Sequence, residues 1–86
     1  MKIGLIGAGR LGLCLALLME EAGYDVIASD VRADYVTSLN QKVVDTTEPE
    51  VKDLLINSRN IYFTTDNQEV IHEADIIFIL VRTPSL

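Results

Sequence analysis

Three glycines near the start of the chain, Gly7, Gly9 and Gly12, have the spacing G-x-G-x-x-G. They follow a short apolar run and precede a run with helical periodicity, which is the strand–turn–helix context that this pattern requires. The first glycine permits a tight turn, the second lets a phosphate approach the backbone, and the third lets the helix pack against the strand. The free N–H groups of Arg10, Leu11 and Gly12 would then face a pyrophosphate at the positive end of the helix dipole.

An acidic residue, Asp30, lies 18 residues after Gly12, at the end of a second strand-like run. A carboxylate here would accept hydrogen bonds from the adenosine ribose hydroxyls and repel a 2′-phosphate, which favours NAD over NADP. Other interpretations stay open: the glycines would form only a packing turn, or Asp30 would cap the next helix. Arg32 is either a ligand of a 2′-phosphate, which would reverse the choice of cofactor, or a solvated surface residue.

The elements that must position these residues alternate between strands and helices. Apolar runs and helical periodicity predict strands at 2–6, 25–29, 61–64 and 76–81, with helices at 11–22, 33–40, from Pro49 onward, and at 67–73. The order β-α-β-α-α-β-α-β predicts an α/β fold. With right-handed crossovers it forms a Rossmann-type half: a parallel sheet of four strands in the order 3-2-1-4 with helices on both faces.

Two helix starts carry capping patterns. Thr47 with Glu50 three residues later predicts a capping box, and Pro49 lies between them, where helix N–H groups are free in any case. Asp66 with Glu69 predicts the same arrangement at the last helix.

The last helix and the last strand are expected to be well covered. The helix would face inward through Val70, Ile71 and Ala74. The strand at 76–81 is apolar at every position, which is typical of a strand buried on both faces of a parallel sheet. In the order 3-2-1-4, however, this strand is left at an edge, and exposed apolar edges promote association.

Length, charge and cysteine content exclude several classes of protein. With 86 residues the chain holds one domain at most, and a net charge of −6 disfavours binding to a nucleic-acid backbone. One cysteine cannot form an internal disulfide. No apolar run approaches the ~20 residues that span a bilayer. The start lacks the basic region and cleavage site of a signal peptide, so we expect a cytoplasmic protein with no membrane partner.

Neither the single cysteine nor the single histidine indicates a catalytic or metal site. Cys14 lies on the apolar face of the first predicted helix, where desolvation disfavours a thiolate, so we expect core packing. His72 lies among acidic residues of the last helix and has no second histidine or suitable cysteine for a metal. The chain is therefore expected to bind a cofactor without catalysing a reaction itself.

From position 1 to 86 the chain resembles the N-terminal NAD-binding domain of the UDP-glucose/GDP-mannose dehydrogenase family, the nucleotide-sugar 6-dehydrogenases. The glycine loop is shared with many dehydrogenases, whereas four other motifs at matching spacing are more specific. These are Leu39-Asn40, Glu48-Pro49, Thr64-Thr65-Asp66 and Thr83-Pro84. The 35 positions from Asp30 to Thr65 also exceed the shorter second crossover of 6-phosphogluconate and hydroxyacid dehydrogenases.

The resemblance implies a cofactor, a site and a reaction. The loop from Gly7 to Gly12 and the acid at Asp30 would hold NAD, and Thr83, just beyond the last strand, would contact it as well. The complete enzymes of the family oxidise a sugar C6 alcohol to a carboxylate with two NAD. They use a cysteine that lies far downstream, bind a nucleotide sugar and form dimers.

Three residues depart from the family pattern. Tyr35 stands where a basic residue is usual, and it can stack or hydrogen-bond but supplies no charge at the adenosine end. Arg10 replaces a common aromatic in the glycine loop, where it would lie over the pyrophosphate or remain solvated. Arg82 replaces a proline or alanine before Thr83 and would approach a phosphate.

The resemblance leaves two alternatives and a question of extent. The chain would otherwise be the NAD-binding half of another dehydrogenase, such as a 6-phosphogluconate-like or 3-hydroxyacyl-CoA-like enzyme, or a non-catalytic nucleotide-sensing domain. We expect residues 1–86 to be the first part of a dinucleotide-binding domain cut from a larger enzyme, without its substrate and dimerisation domains. Such a fragment would self-associate through the strand at 76–81.

Overall fold

The computed structural model describes residues 1–80, which form four strands and four helices. In chain order these are β1 (Lys2–Ile6), α1 (Arg10–Glu21), β2 (Asp25–Ser29), α2 (Ala33–Asn40), α3 (Pro49–Asn57), β3 (Ile61–Thr64), α4 (Asn67–Glu73) and β4 (Ile76–Ile79). The predicted order of elements is confirmed, and α1 begins and ends one residue before its predicted bounds.

The four strands form one parallel sheet in the order β3-β2-β1-β4, as the sequence predicts. Ile3 of β1 is in register with Val26 of β2 on one side and with Ile76 of β4 on the other. The crossovers through α1 and through α2 and α3 run in one direction along the sheet, and the crossover through α4 runs back. Right-handed crossovers of opposite direction place their helices on opposite faces.

The main hydrophobic core lies on the face covered by α1, α2 and α3, where α1 also contacts α3. Its buried members come from all three helices, from three strands and from the loop between β1 and α1: Leu5, Ala8, Leu13, Ala16, Leu17, Val26, Ala28, Val36, Leu39, Val51, Leu55 and Phe63. Cys14 is partly buried on α1. Close packing of this kind fixes the start of α1 relative to the ends of β1 and β2.

Helix α2 is tied to β3 by a side chain that the resemblance singled out. The Asn40 side-chain amide donates to the Phe63 carbonyl at 2.8 Å, and its oxygen accepts from the Phe63 N–H at 3.1 Å. The amide thereby occupies the free backbone groups at the outer side of β3, which is an edge strand in the described residues. This double hydrogen bond gives Asn40 a structural role and fixes α2.

The capping box predicted at Thr47 and Glu50 is wrong. The N-cap of α3 is Glu48, whose side chain makes no capping hydrogen bond, and the Glu48 N–H donates to Thr46 Oγ1 at 3.1 Å. Pro49 occupies the first helical position as expected. A residue before proline disfavours helical backbone angles, so Glu48, which precedes Pro49, is extended and becomes the N-cap.

The capping prediction at α4 is confirmed for Asp66, whose carboxylate accepts from the Gln68 N–H at 2.9 Å. The reciprocal half of the box differs, because the Asp66 N–H donates to Thr64 Oγ1 at 3.1 Å rather than to the side chain of Glu69. Val70 is buried as expected, but Ile71 is exposed. Adjacent residues on a helix point about 100° apart, so a short helix that buries Val70 directs Ile71 to solvent.

Strand β4 lies at the edge of the described sheet, and its side chains are more exposed than its all-apolar pattern predicts. Ile76, Phe78 and Ile79 are all exposed. Burial on both faces is therefore wrong for the described residues, since only β1 pairs with β4 there. The expected continuation of this strand at Val81 lies outside the described residues.

Candidate functional site

The glycine loop turns sharply at the end of β1. Gly7 has φ +103°, a left-handed conformation that glycine adopts without steric cost. The Gly7 and Ala8 N–H groups both donate to the Ser29 carbonyl at the end of β2, at 2.9 and 2.8 Å. A Cβ at Gly7 would also lie 2.6 Å from the Leu80 carbonyl oxygen. The turn is thus held between the two neighbouring strands, and only glycine fits it.

Helix α1 begins at Arg10 with its N-terminal amides open. Its N-cap is Gly9, no side chain caps it, and its first turn contains no acidic residue. The first intrahelical hydrogen bond runs from the Leu13 N–H to the Gly9 carbonyl at 2.7 Å. The N–H groups of Arg10, Leu11 and Gly12 therefore have no acceptor within the helix, which is the arrangement that binds anions.

Space around the second and third glycines differs as the sequence predicts. A Cβ added to Gly9 would meet no atom within 4 Å, so a ligand can approach the backbone there. A Cβ added to Gly12 would collide with the Gly7 carbonyl oxygen. The missing side chain at Gly12 lets α1 pack against β1, and the one at Gly9 leaves room for a phosphate group. These residues fit a dinucleotide.

Asp30 follows β2, and its side chain is only 9% exposed. Its carboxylate accepts from the Arg32 backbone N–H at 2.9 Å and from the Arg32 guanidinium at 2.9 and 3.1 Å. The alternative role as a cap of α2 is wrong, because the N-cap there is Arg32, with no side-chain capping hydrogen bond. The hydrogen bond to Asp30 raises the pKa of Arg32, so the guanidinium keeps its positive charge at neutral pH.

Arg32 and Tyr35 connect Asp30 to the glycine loop. The Arg32 guanidinium lies 4.1 Å from the centre of the Tyr35 ring, which is within cation–π distance. The Tyr35 hydroxyl donates to the Ala8 carbonyl at 2.6 Å. Burial raises the pKa of the Tyr35 phenol, so the hydroxyl keeps its proton at neutral pH. Sequence reasoning missed the Ala8 contact, because 27 positions separate the two residues.

A cleft of about 340 Å³ opens beside the start of α1. Five of its lining residues belong to the segment between α2 and α3, which no sequence motif connects to the site. The lining residues are Arg10, Leu13, Arg32, Tyr35, Val44, Asp45, Thr46, Thr47, Glu48 and Val51. Arg10 lies at the rim with 85% of its side chain exposed, and its guanidinium is 3.9 Å from the Glu48 carboxylate.

Other predicted features give no second site in the described residues. Arg82 and Thr83 lie outside the described range, as does Pro84. Across residues 1–80, no cluster of three or more His, Cys, Asp or Glu side chains is arranged to hold a metal, and His72 is exposed on α4. None of the helices in this range is both long and apolar enough to cross a bilayer.

A parallel α/β sheet with a glycine turn after β1, an open helix start and an acid after β2 defines a dinucleotide-binding domain of the Rossmann type. A model described as the UDP-glucose/GDP-mannose dehydrogenase family, NAD binding domain, matches residues 1–86. The chain belongs to this family and corresponds to its NAD-binding domain, so the cofactor is NAD.

Two curated enzymes and one solved structure illustrate what the chain is similar to. The chain is 34% identical over 86 residues to a UDP-glucose 6-dehydrogenase of Bacillus subtilis, covering 96% of this chain and 19% of that protein. It is 37% identical over 75 residues to a glycerol-3-phosphate dehydrogenase [NAD(P)+] of Chlamydia pneumoniae, covering 87% and 21%. The crystal structure of a ternary complex of GDP-mannose dehydrogenase from Pseudomonas aeruginosa superposes with a TM-score of 0.92. Sequence identity with that enzyme is 31%, and the match covers 100% of this chain and 20% of the other. The chain thus spans about a fifth of the length of these relatives.

Proposed function

We propose that this chain is the NAD-binding part of a nucleotide-sugar 6-dehydrogenase, with the glycine loop and Asp30 as its cofactor ligands. The observation that carries the proposal is the start of α1: three amides without helical acceptors beside Gly9, whose Cβ position is open. Asp30 directly follows the neighbouring strand β2. In open α/β sheets, ligands bind beyond the carboxyl ends of the strands, which is where these groups lie.

Each group has a distinct task in this proposal. The amides of Arg10, Leu11 and Gly12 donate to the pyrophosphate of NAD, and Asp30 accepts from the adenosine ribose hydroxyls. Arg32 must then share the carboxylate or release it. The Arg32 side chain can move aside, because it is 55% exposed, whereas the Asp30 carboxylate is 9% exposed and stays in place to accept from the ribose.

The remaining candidate ligands lie around the expected positions of the adenosine and the pyrophosphate of the cofactor. Arg32 and Tyr35 lie beside Asp30 and belong to the adenosine end, and Arg10 lies at the rim of the cleft. For Arg82 and Thr83 the support is the resemblance alone.

The complete enzyme would oxidise the C6 alcohol of a nucleotide sugar to a carboxylate with two NAD, each of which accepts a hydride. Support comes from relatives that bear the names UDP-glucose 6-dehydrogenase and GDP-mannose dehydrogenase. In this proposal the described residues bind the cofactor, and Cys14, a partly buried residue of α1, serves packing. We propose that the reacting cysteine and the sugar-binding residues belong to other parts of a longer protein.

The same reasoning extends to domain organisation and location. We propose that residues 1–86 are the first part of a dinucleotide-binding domain. The substrate and dimerisation domains would lie elsewhere in the complete enzyme, which is a cytoplasmic homo-oligomer and binds neither membrane nor nucleic acid. Two findings support the larger, oligomeric enzyme: the chain spans about a fifth of the length of these relatives, and the apolar side chains of β4 are exposed.

Titration with NAD and NADP tests the cofactor site. We expect Asp30→Ala to weaken NAD binding about tenfold or more, because hydrogen bonds to a charged group contribute ~1.5–3 kcal/mol. NADP should lose less, since the same change removes the repulsion of its 2′-phosphate. Asp25→Ala is the matched control, because Asp25 is an exposed acid at the opposite end of β2. Equal loss in both variants, or no loss in Asp30→Ala, contradicts the assignment.

Light scattering tests association through β4. We expect the wild-type chain to self-associate at high concentration and Phe78→Lys to reduce this, because a charge on an edge strand opposes pairing with another strand. Tyr62→Lys on β3, the other edge strand of the described sheet, is the control, since Tyr62 is similarly exposed (49% against 42% for Phe78). A monomeric wild type at high concentration would count against this part of the proposal.

A further inference from the structure

Ala8, the residue between the first two glycines, is held from both sides. Its methyl group is buried, and its N–H donates to the Ser29 carbonyl at 2.8 Å. Its carbonyl accepts from the Tyr35 hydroxyl at 2.6 Å. The Ser29 contact links the loop to the neighbouring strand, whereas the Tyr35 contact reaches it from a different layer of the fold.

The plane of the peptide between Ala8 and Gly9 follows from the Tyr35 hydrogen bond. The chain has no cis peptide bonds among its described residues, so the N–H of Gly9 points away from the Ala8 carbonyl and therefore away from Tyr35. Gly9 is the N-cap of α1, and the space over its Cβ position is open. A fixed orientation of this peptide therefore sets the direction from which a phosphate meets the loop.

Tyr35 is in turn fixed by its own helix. Val36 and Leu39 of α2 are buried, and the Asn40 side chain makes two hydrogen bonds to the backbone of Phe63. The Tyr35 ring is half-buried against the hydrophobic core, with the Arg32 guanidinium over its face. The hydroxyl therefore reaches the glycine loop from a rigid support, which makes it an effective anchor.

We propose that Tyr35 is a positioning residue for the cofactor site, which holds the Ala8–Gly9 peptide in the orientation that receives the pyrophosphate. This inference rests on the proposed function, because it assumes that the glycine loop binds NAD. Its hydroxyl is engaged within the protein, so Tyr35 acts through the loop and does not need to touch the cofactor. A loop ordered before binding loses less entropy on binding, which strengthens affinity.

NMR of the 86-residue chain tests the role of Tyr35 in two steps. Tyr35→Phe removes the hydroxyl and keeps the ring under Arg32, and Tyr62→Phe is the control at an exposed tyrosine. In the ligand-free chain we expect Tyr35→Phe to shift the ¹³C resonance of the Ala8 carbonyl and the amide resonance of Gly9, with the amides of β3 and α4 unchanged. An unchanged Ala8 carbonyl resonance overturns the proposal.

Titration of the same samples separates positioning from general stability. We expect Tyr35→Phe to weaken the binding of NAD and of ADP about threefold to tenfold, and to change the binding of adenosine, which has no phosphate, less than twofold. Equal losses for all three ligands indicate a merely structural role and overturn the proposal, as does an unchanged NAD affinity. If the wild-type chain itself binds no NAD, the proposed function fails, and the Tyr35 proposal fails with it. If the wild-type chain binds NAD and Tyr35→Phe binds it equally well, only the Tyr35 proposal is overturned.

Discussion

Helices α1 and α4 both begin just after a strand of the same sheet, yet their N-termini differ at matched positions. The N-cap is Gly9 in α1 and Asp66 in α4, and the third helical position is Gly12 in α1 and Glu69 in α4. In α4 the Asp66 carboxylate accepts from a first-turn amide at 2.9 Å. In α1 no side chain caps the helix, and its first turn contains no acid.

The two helix starts differ in which groups are available to satisfy their free amides. An N-cap aspartate satisfies the free amides of a helix with the protein's own negative charge, which stabilises the fold. A glycine N-cap leaves those amides available to an external anion, and here the loop before it is held by Ser29 and Tyr35 instead. In the proposed function, the α1 start has no cap because its amides bind the cofactor, whereas the α4 start is stabilised by its own cap.

Substitution at the third helical position should produce the largest contrast. Gly12→Ala places a Cβ against the Gly7 carbonyl, a backbone atom that moves only if the turn moves. We expect a loss of about 2–3 kcal/mol in the free energy of unfolding, in the range of overpacked sites, together with loss of NAD binding. Glu69→Ala at the matched position of α4 should cost about 0.5 kcal/mol or less. Urea denaturation measures both, and similar losses in the two variants would contradict the comparison.

Converting the open start of α1 into a capped one should separate stability from binding. Gly9→Asp supplies a carboxylate where a Cβ meets no atom within 4 Å, so we expect stability to stay the same or rise by a few tenths of a kcal/mol. NAD affinity should fall at least about tenfold, because the new charge repels the pyrophosphate.

The neutral variant Gly9→Asn distinguishes charge from volume, since asparagine caps helices about as well as aspartate. It should lose less affinity than Gly9→Asp. If both variants bind NAD as tightly as the wild type, the start of α1 is not the phosphate site.

Much of this comparison is predictable from the sequence, because its signals are local. The glycine spacing, the alternating elements and the Asp66 cap each depend on residues close together in the chain, and right-handed crossovers then determine the order β3-β2-β1-β4. Local signals can also mislead when two of them compete. At α3 the conformational effect of Pro49 on the preceding residue prevails over the Thr47–Glu50 pattern.

The parts that sequence reasoning missed depend on contacts across the fold. Tyr35 meets Ala8 only because α2 packs beside the glycine loop, and the segment between α2 and α3 forms a wall of the cleft only after both helices are placed. Such features have no periodicity or spacing to reveal them.

Removal of the α4 cap should affect stability without affecting the cofactor. Asp66→Ala deletes the acceptor of the Gln68 N–H, so we expect a loss of about 1 kcal/mol in the free energy of unfolding. Asp66→Asn should recover most of it, because asparagine is an equally good N-cap. NAD affinity should remain within about twofold of the wild type, as measured by calorimetry. A large loss of NAD affinity in Asp66→Ala would mean that the two helix starts are not independent.

The smallest expected effect is a dependence of the free energy of unfolding on alkaline pH, which we expect from Tyr35 beside the α1 start and not from the α4 start. Burial raises the pKa of Tyr35 above its ordinary value of 10.0, so the folded chain holds the phenol proton more tightly than the unfolded chain does. The contribution of Tyr35 is therefore fully present below pH 10 and is lost as pH rises through the higher pKa of the folded state. We expect the hydrogen bond to Ala8 to contribute about 0.5 kcal/mol, so the stability difference between wild type and Tyr35→Phe should shrink by that amount above pH 10. The phenolate of a tyrosine absorbs at about 295 nm, so subtracting the absorbance titration of Tyr35→Phe from that of the wild type isolates Tyr35. A midpoint at or below pH 10 would show that the Tyr35 side chain is not buried in solution.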